Sequence, residues 1–179
     1  MEYKVRKLSI NDIKNLNSIY LYLENHPKCL KSLFENTRGA NNHHATKIGA
    51  LDQREARGST AGTVIWRGQQ KLSKLSTEHP DLDILLHSFM TEHNPEFNYK
   101  SVYITKNCQS RPHRDSGNST SSIIVSMGDH EGGALCIDEG DGRNQVFTIR
   151  KYSLEFDGRK YLHWTQDFVG TRYSLIYFN

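Results

Sequence analysis

Hydrophobic and polar residues recur along this chain with two different periods, and the change of period divides it. From Ser9 to about His26 the residues Ile10, Ile13, Leu16, Ile19, Tyr20 and Leu23 are spaced by three and four, which predicts a helix with one apolar stripe. Ser9 or Asn11 suits the N-cap, and Pro27 ends the helix. CLKSLFEN, residues 29–36, predicts a second short helix. Residues 38–62 mix Gly, Asn, Thr and charge without any period, which predicts a long loop of the kind used as a lid. From Leu72 to Phe89 the apolar positions predict two helices broken near His79-Pro80. After Pro95 the period shortens to that of strands in NYKSVYIT, SSIIVSM, GALCI, QVFTI, YSLEF and RYSLIYF, with GDHEGG, DEGDGRN and DGRK as turns.

The pattern therefore predicts an α+β fold. Residues 1–96 form a helical N-terminal region, and residues 97–179 an all-β sandwich or barrel with the helices packed on one sheet. A length of 179 residues suits a single domain. No apolar run approaches the roughly 20 residues of a membrane helix, and MEYKVRKLSINDIK lacks the apolar stretch of a secretory signal. Cys29, Cys108 and Cys136 are odd in number and far apart, so they build neither a disulfide framework nor a CxxC zinc motif. An intracellular protein is expected, cytoplasmic or, in a eukaryotic host, nuclear, with no membrane partner. Charge is uneven: residues 1–75 hold 13 Lys+Arg against 6 Asp+Glu, or +7, and residues 76–179 hold 10 against 14, or −4, which together give +3. The basic half either faces an anion such as nucleic acid or carries ordinary solvated cations.

Chemistry concentrates in RPHRDSGN. His113 and Asp115 are two positions apart, so in extended chain they face one way and can share a metal. HRD also occurs in kinase catalytic loops, but no Gly-rich loop, strand lysine or DFG accompanies it here. His163, in FDGRKYLHW, follows after enough short strands to bring the sheet back, and two imidazoles with one carboxylate leave open positions on non-haem Fe(II). Arg172 opens a strand that is otherwise Tyr, Leu, Ile, Tyr and Phe, where a guanidinium is costly unless an anion meets it. Its forked donors match a carboxylate, and Ser174 on the same face adds a hydroxyl.

The order HxD, distal His, then RxS on the last strand resembles the 2-oxoglutarate- and Fe(II)-dependent oxygenase superfamily, over roughly residues 97–179. MGDHEGGAL and SLEFDGRKYLH look like the turns of its small microbial, viral and algal members. The resemblance implies a double-stranded β-helix (jelly-roll) core. It implies Fe(II) on His113, Asp115 and His163, with 2-oxoglutarate held by Arg172 and Ser174, O2 as co-substrate and ascorbate as a supporting reductant. Tyr103 and Asn107 stand where related enzymes place a donor to 2-oxoglutarate; the alternative is a core aromatic and a turn residue. Members that halogenate lack the carboxylate that Asp115 supplies, so hydroxylation is implied. Substrates fall into three groups: a nucleic-acid base such as a pyrimidine methyl group, a prolyl or lysyl side chain, and a free small molecule. Arg54, Arg57, Arg67, Lys71 and the 38–62 loop favour the first. A non-catalytic metal-binding β-sandwich is the rival from another class. His43 and His44 read as a solvated loop pair and His130 as an exposed turn residue. Trp66 and Trp164 read as cleft lining or core. Oligomeric state stays open.

Overall fold

In the computed structural model residues 3–33, 56–116, 118–140 and 142–179 are described. Helix α1 (Ile10–Asn25) starts on a capping box in which Ser9 Oγ accepts the Asp12 N–H at 3.0 Å and Asp12 Oδ2 accepts the Ser9 N–H at 2.7 Å. Ser9, not Asn11, is thus the N-cap. Helices α2 (Lys74–Glu78) and α3 (Pro80–His93) are broken at His79 with Pro80 at the first position of α3, as the sequence predicts.

The strands are β1 (Lys4–Lys7), β2 (Lys31–Ser32), β3 (Arg57–Trp66), β4 (Gln69–Leu72), β5 (Ser101–Lys106), β6 (Ser122–Met127), β7 (His130–Gly132), β8 (Leu135–Asp138), β9 (Asn144–Phe147), β10 (Tyr152–Phe156), β11 (Leu162–Thr165), β12 (Phe168–Gly170) and β13 (Tyr173–Phe178). The major antiparallel sheet runs β1-β10-β6-β13-β5-β3-β2, with β4 paired to β3; smaller sheets are β11-β8-β9 and β12-β7. These are mostly antiparallel sheets with a few helices, a jelly-roll-like arrangement.

Period-two alternation gives the major sheet two unlike faces. Val102, Ile104, Ile123, Val125, Leu175 and Tyr177 face the helices and pack with Leu16, Ile19, Leu82, Leu86 and Phe89 in one buried cluster. Each such side chain contributes about 1.5–3 kcal/mol by leaving water. Below α1 and α3, His93 Nδ1 meets Asp12 Oδ2 at 3.0 Å and His93 Nε2 meets Ser153 Oγ at 2.6 Å, so the buried imidazole ties three elements together. Tyr103, Thr105, Ser122, Ile124, Ser174 and Ile176 line a cavity on the opposite face. Its floor continues into a second cluster, in which Ile124, Leu154 and Phe156 of the major sheet meet Leu135 and Ile137 of the smaller one.

Three expectations are corrected. Residues 57–62, predicted as loop, are the first part of β3, whose Arg57–Gly62 pair with β5. Their small side chains hide the pattern but allow close packing: a Cβ on Gly58 would lie 2.7 Å from the Tyr103 hydroxyl oxygen. Residues 38–55, with His43 and His44, lie outside the described residues. In CLKSLFEN, Lys31 and Ser32 are not helical but pair with Gly58 and Arg57, since the edge of β3 offers backbone partners. His130 is 3% exposed rather than a surface turn residue, because β7 pairs with β12 and draws it in.

Candidate functional site

The chain leaving β5 comes back alongside β11 and is stitched to it by one bridge. His113 N–H donates to His163 O, and His163 N–H to His113 O, both at 3.0 Å. The two imidazoles therefore lie side by side, with ring centroids 4.3 Å apart. His113 Nδ1 lies 2.8 Å from Arg111 O and His163 Nδ1 lies 3.0 Å from Tyr161 O. A carbonyl only accepts, so each Nδ1 carries the proton and each Nε2 keeps its lone pair. Both Nε2 atoms face Asp115 Oδ1, at 3.6 Å from His113 and 3.8 Å from His163. The three ligand atoms lie within 4.8 Å of one another, which is spacing for one metal ion.

Asp115 is held from behind. Its N–H donates to Gly158 O at 2.9 Å, and Asn118 Nδ2 donates to Asp115 Oδ2 at 3.1 Å and to Ser122 Oγ at 2.9 Å. A Cβ on Gly158 would lie 2.2 Å from Asp115 Oδ2 and 3.2 Å from His163 Cε1, so only glycine lets the 157–160 turn close against the triad. Burial, and then the neighbouring His113, lower the His163 pKa below its usual value, which keeps that ring neutral and able to ligate.

Arg172 lies on the cavity side with Ser174, as alternation requires, and is 2% exposed. Its Nε donates to Gly133 O at 3.2 Å and its Nη1 approaches Cys108 O at 3.5 Å, whereas Nη2 has no hydrogen-bond partner among the described residues. Burial pulls its pKa down to about 10, partly opposed by Cys108, so it stays charged at neutral pH. A buried cation with an unspent donor is unfavourable until an anion arrives. Triad, Arg172, Ser174 and Tyr103 all line one cavity of about 540 Å³. Two neutral imidazoles and a carboxylate at one side, and a free guanidinium donor among hydroxyls at the other, fit an iron ion and a dicarboxylate keto acid.

Asn107 is the sequence candidate that does not line this cavity. Its Oδ1 accepts the Arg172 N–H at 2.9 Å and its own N–H donates to Arg172 O at 2.7 Å, with a left-handed φ of 50° that asparagine tolerates. It fixes the backbone from which the guanidinium projects. Trp164 is half-buried in a neighbouring groove and Trp66 is 58% exposed, so neither is core. Thr105, Asn118 and Gly158 went unnoticed in the sequence. Thr105, whose hydroxyl pairs with that of Ser174, was recoverable from its place two residues after Tyr103 on the same face. Asn118 and Gly158 sit in turns and carry no periodic signal.

No protein-family model matches the sequence, and no curated protein matches it. Solved structures do match by shape. A prolyl-4-hydroxylase from Pseudomonas putida has a TM-score of 0.56 at 13% identity, covering 99% of this chain and 92% of its own. A prolyl hydroxylase from Trichoplax adhaerens, in complex with a hypoxia inducible factor oxygen degradation domain peptide fragment, has a TM-score of 0.58 at 13% identity over 98% of this chain and 83% of its own. NgTET1 in complex with 5mC DNA has a TM-score of 0.61 at 13% identity over 99% of this chain and 71% of its own. At that identity the likeness is one of architecture: the chain shares a jelly-roll-like fold with these two hydroxylases and with NgTET1.

Proposed function

We propose that this chain is an Fe(II)- and 2-oxoglutarate-dependent oxygenase that hydroxylates a C–H bond of its substrate. In this reading it is a single domain with a double-stranded β-helix core over residues 97–179. The observation that carries it is Arg172, a buried guanidinium with an unspent donor in the same cavity as a His-Asp-His cluster. His113, Asp115 and His163 hold the iron, and Arg172 with Ser174 holds the distal carboxylate of the keto acid. Thr105 orients the Ser174 hydroxyl, and Tyr103 walls the cavity beside it. Iron, 2-oxoglutarate and O2 held there would supply the oxidising chemistry that converts a substrate C–H to C–OH, one oxygen atom going to the substrate and the other to succinate as CO2 leaves. The protein's part is positioning, tautomer control and a fixed counter-charge.

For the substrate we favour a nucleic-acid base. NgTET1, of similar fold, was solved with 5mC DNA, and Arg57, Arg67 and Lys71 lie on the β3–β4 hairpin at the edge of the major sheet. The second reading, a protein side chain, is favoured by the peptide bound to the Trichoplax enzyme. A non-catalytic metal-binding module would leave the Arg172 donor without a purpose.

The test is succinate formation from 2-oxoglutarate with Fe(II) and ascorbate. Wild type is expected to form it, and His113→Ala to lose it. Arg172→Leu is expected to keep metal binding and raise the apparent KM for 2-oxoglutarate by roughly 10- to 100-fold, the loss of charge-assisted hydrogen bonds. Turnover that survives His113→Ala sinks the reading.

A further inference from the structure

His163 and Trp164 are neighbours on β11 and so point to opposite sides of it. The iron cavity and a second groove of about 470 Å³ therefore stand back to back. They share a wall, Ser110 and Thr165, whose hydroxyls are hydrogen-bonded at 2.9 Å. The lip between them is the segment 111–114. Arg111 lines the groove and Arg114 lines the cavity; both are exposed. Neither guanidinium has a hydrogen-bond or ion-pair partner among the described residues.

Of the acidic groups nearby, Asp157 is bound by Arg159 and Lys160, Asp115 faces the two histidines in the cavity, and Asp167 on the groove wall accepts a hydrogen bond from Gln109 Nε2 and keeps its charge. The lip presents two guanidinium groups without ion-pair partners among the described residues, three positions apart, a span of at most about 10 Å. Neighbouring phosphates of one strand fall within that span. The groove beside it is lined by the half-buried Trp164, Gln109 and Gln166. A planar indole beside a lip with two arginines suits a stacked base with its backbone phosphates on the lip. An acidic peptide would use the arginines but leave the indole face without a partner.

We propose that the Trp164 groove and the Arg111–Arg114 lip form a subsite for single-stranded nucleic acid. One base stacks on Trp164, the backbone crosses the lip on Arg111 and Arg114, and the adjacent base enters the iron cavity. This rests on the oxygenase reading and deepens its nucleic-acid option, naming the strand form and the residues that hold it.

The experiment is fluorescence anisotropy of a dye-labelled single-stranded oligodeoxynucleotide titrated with the full chain over a range of salt concentrations. Arg111→Gln/Arg114→Gln is expected to weaken binding at least tenfold. It should also flatten the logarithmic salt slope by about 1.4, since each phosphate contact on a single strand adds about 0.7. Trp164→Ala is expected to weaken binding by about tenfold or more, and Trp164→Tyr to restore most of it by keeping a stacking ring. Lys14→Gln/Lys28→Gln, equal in charge but on the helix side, is the control. Equal losses in control and lip variants overturn the proposal, as does a poly-glutamate peptide that competes as well as unlabelled oligonucleotide. Wild type that forms succinate yet binds no oligonucleotide overturns the subsite alone; oligonucleotide binding without succinate formation overturns the oxygenase reading instead.

Discussion

The two faces of the major sheet are built from alternate residues of the same strands, yet they follow opposite rules. On the helix side Val102, Ile104, Val125 and Leu175 meet Leu82, Leu86 and Phe89, and the buried His93 has a partner on each ring nitrogen, Asp12 and Ser153. On the cavity side the same strands present Thr105, Ser122 and Ser174, with Arg172 holding a donor unused. One face is filled by apolar side chains from the helices, while the other is left wanting an anion and a cation. Stability and chemistry are thereby assigned to different surfaces of one sheet.

That division can be broken by mutation. The largest effect belongs to the helix side: Phe89 is 0% exposed, and Phe89→Ala is expected to destabilise the fold by about 3–5 kcal/mol in urea denaturation. At temperatures where the variant is folded, its affinity for Fe(II) should match wild type. Gly158→Ala should do the reverse. The added methyl displaces Asp115 and His163, so Fe(II) affinity is expected to fall by roughly 10- to 100-fold in a metal titration, with a much smaller change in the denaturation midpoint. If Gly158→Ala costs as much stability as Phe89→Ala, the two faces are not independent.

The smallest effect concerns acid. His130 is buried, and burial, then Arg172 and Arg150, push its pKa down to about 4. Its folded pKa lies below the unfolded value near 6.5, so below that pH the unfolded chain takes up a proton that the folded one refuses. Stability contributed by neutral His130 is therefore present at neutral pH and lost as pH falls from about 6.5 toward 4. His130→Asn is expected to flatten that part of the stability curve; an unchanged slope would assign the acid sensitivity to other groups.

Six core strands, α1, the α2–α3 break and the convergence of His113, Asp115, His163 and Arg172 were legible in the sequence because each follows a period or a chemical need. β3 was not legible. Gly58, Ala61 and Gly62 give no apolar alternation, and its strand character comes from pairing with β5, a partner remote in sequence. His130 was misjudged for a similar reason: a glycine-rich stretch reads as a turn until β12 pairs with it. For Asn107 the structure shows a contact that strand periodicity does not predict, its Oδ1 accepting the Arg172 N–H. Gly158 matters through an absent atom, which no single sequence reveals.

The bridge between His113 and His163 also bears on how the site comes together. A metal ion joining ligands about fifty positions apart would, in an otherwise open chain, have to offset a loop-closure entropy of about 3–4 kcal/mol. Here two backbone hydrogen bonds and the β8–β11 pairing close that loop without using any metal-ligand bond. In contrast to a zinc finger, where ligation and folding are one event, ligand geometry here is inherited from strand pairing. An ion entering or leaving such a seat does not ask the chain to refold.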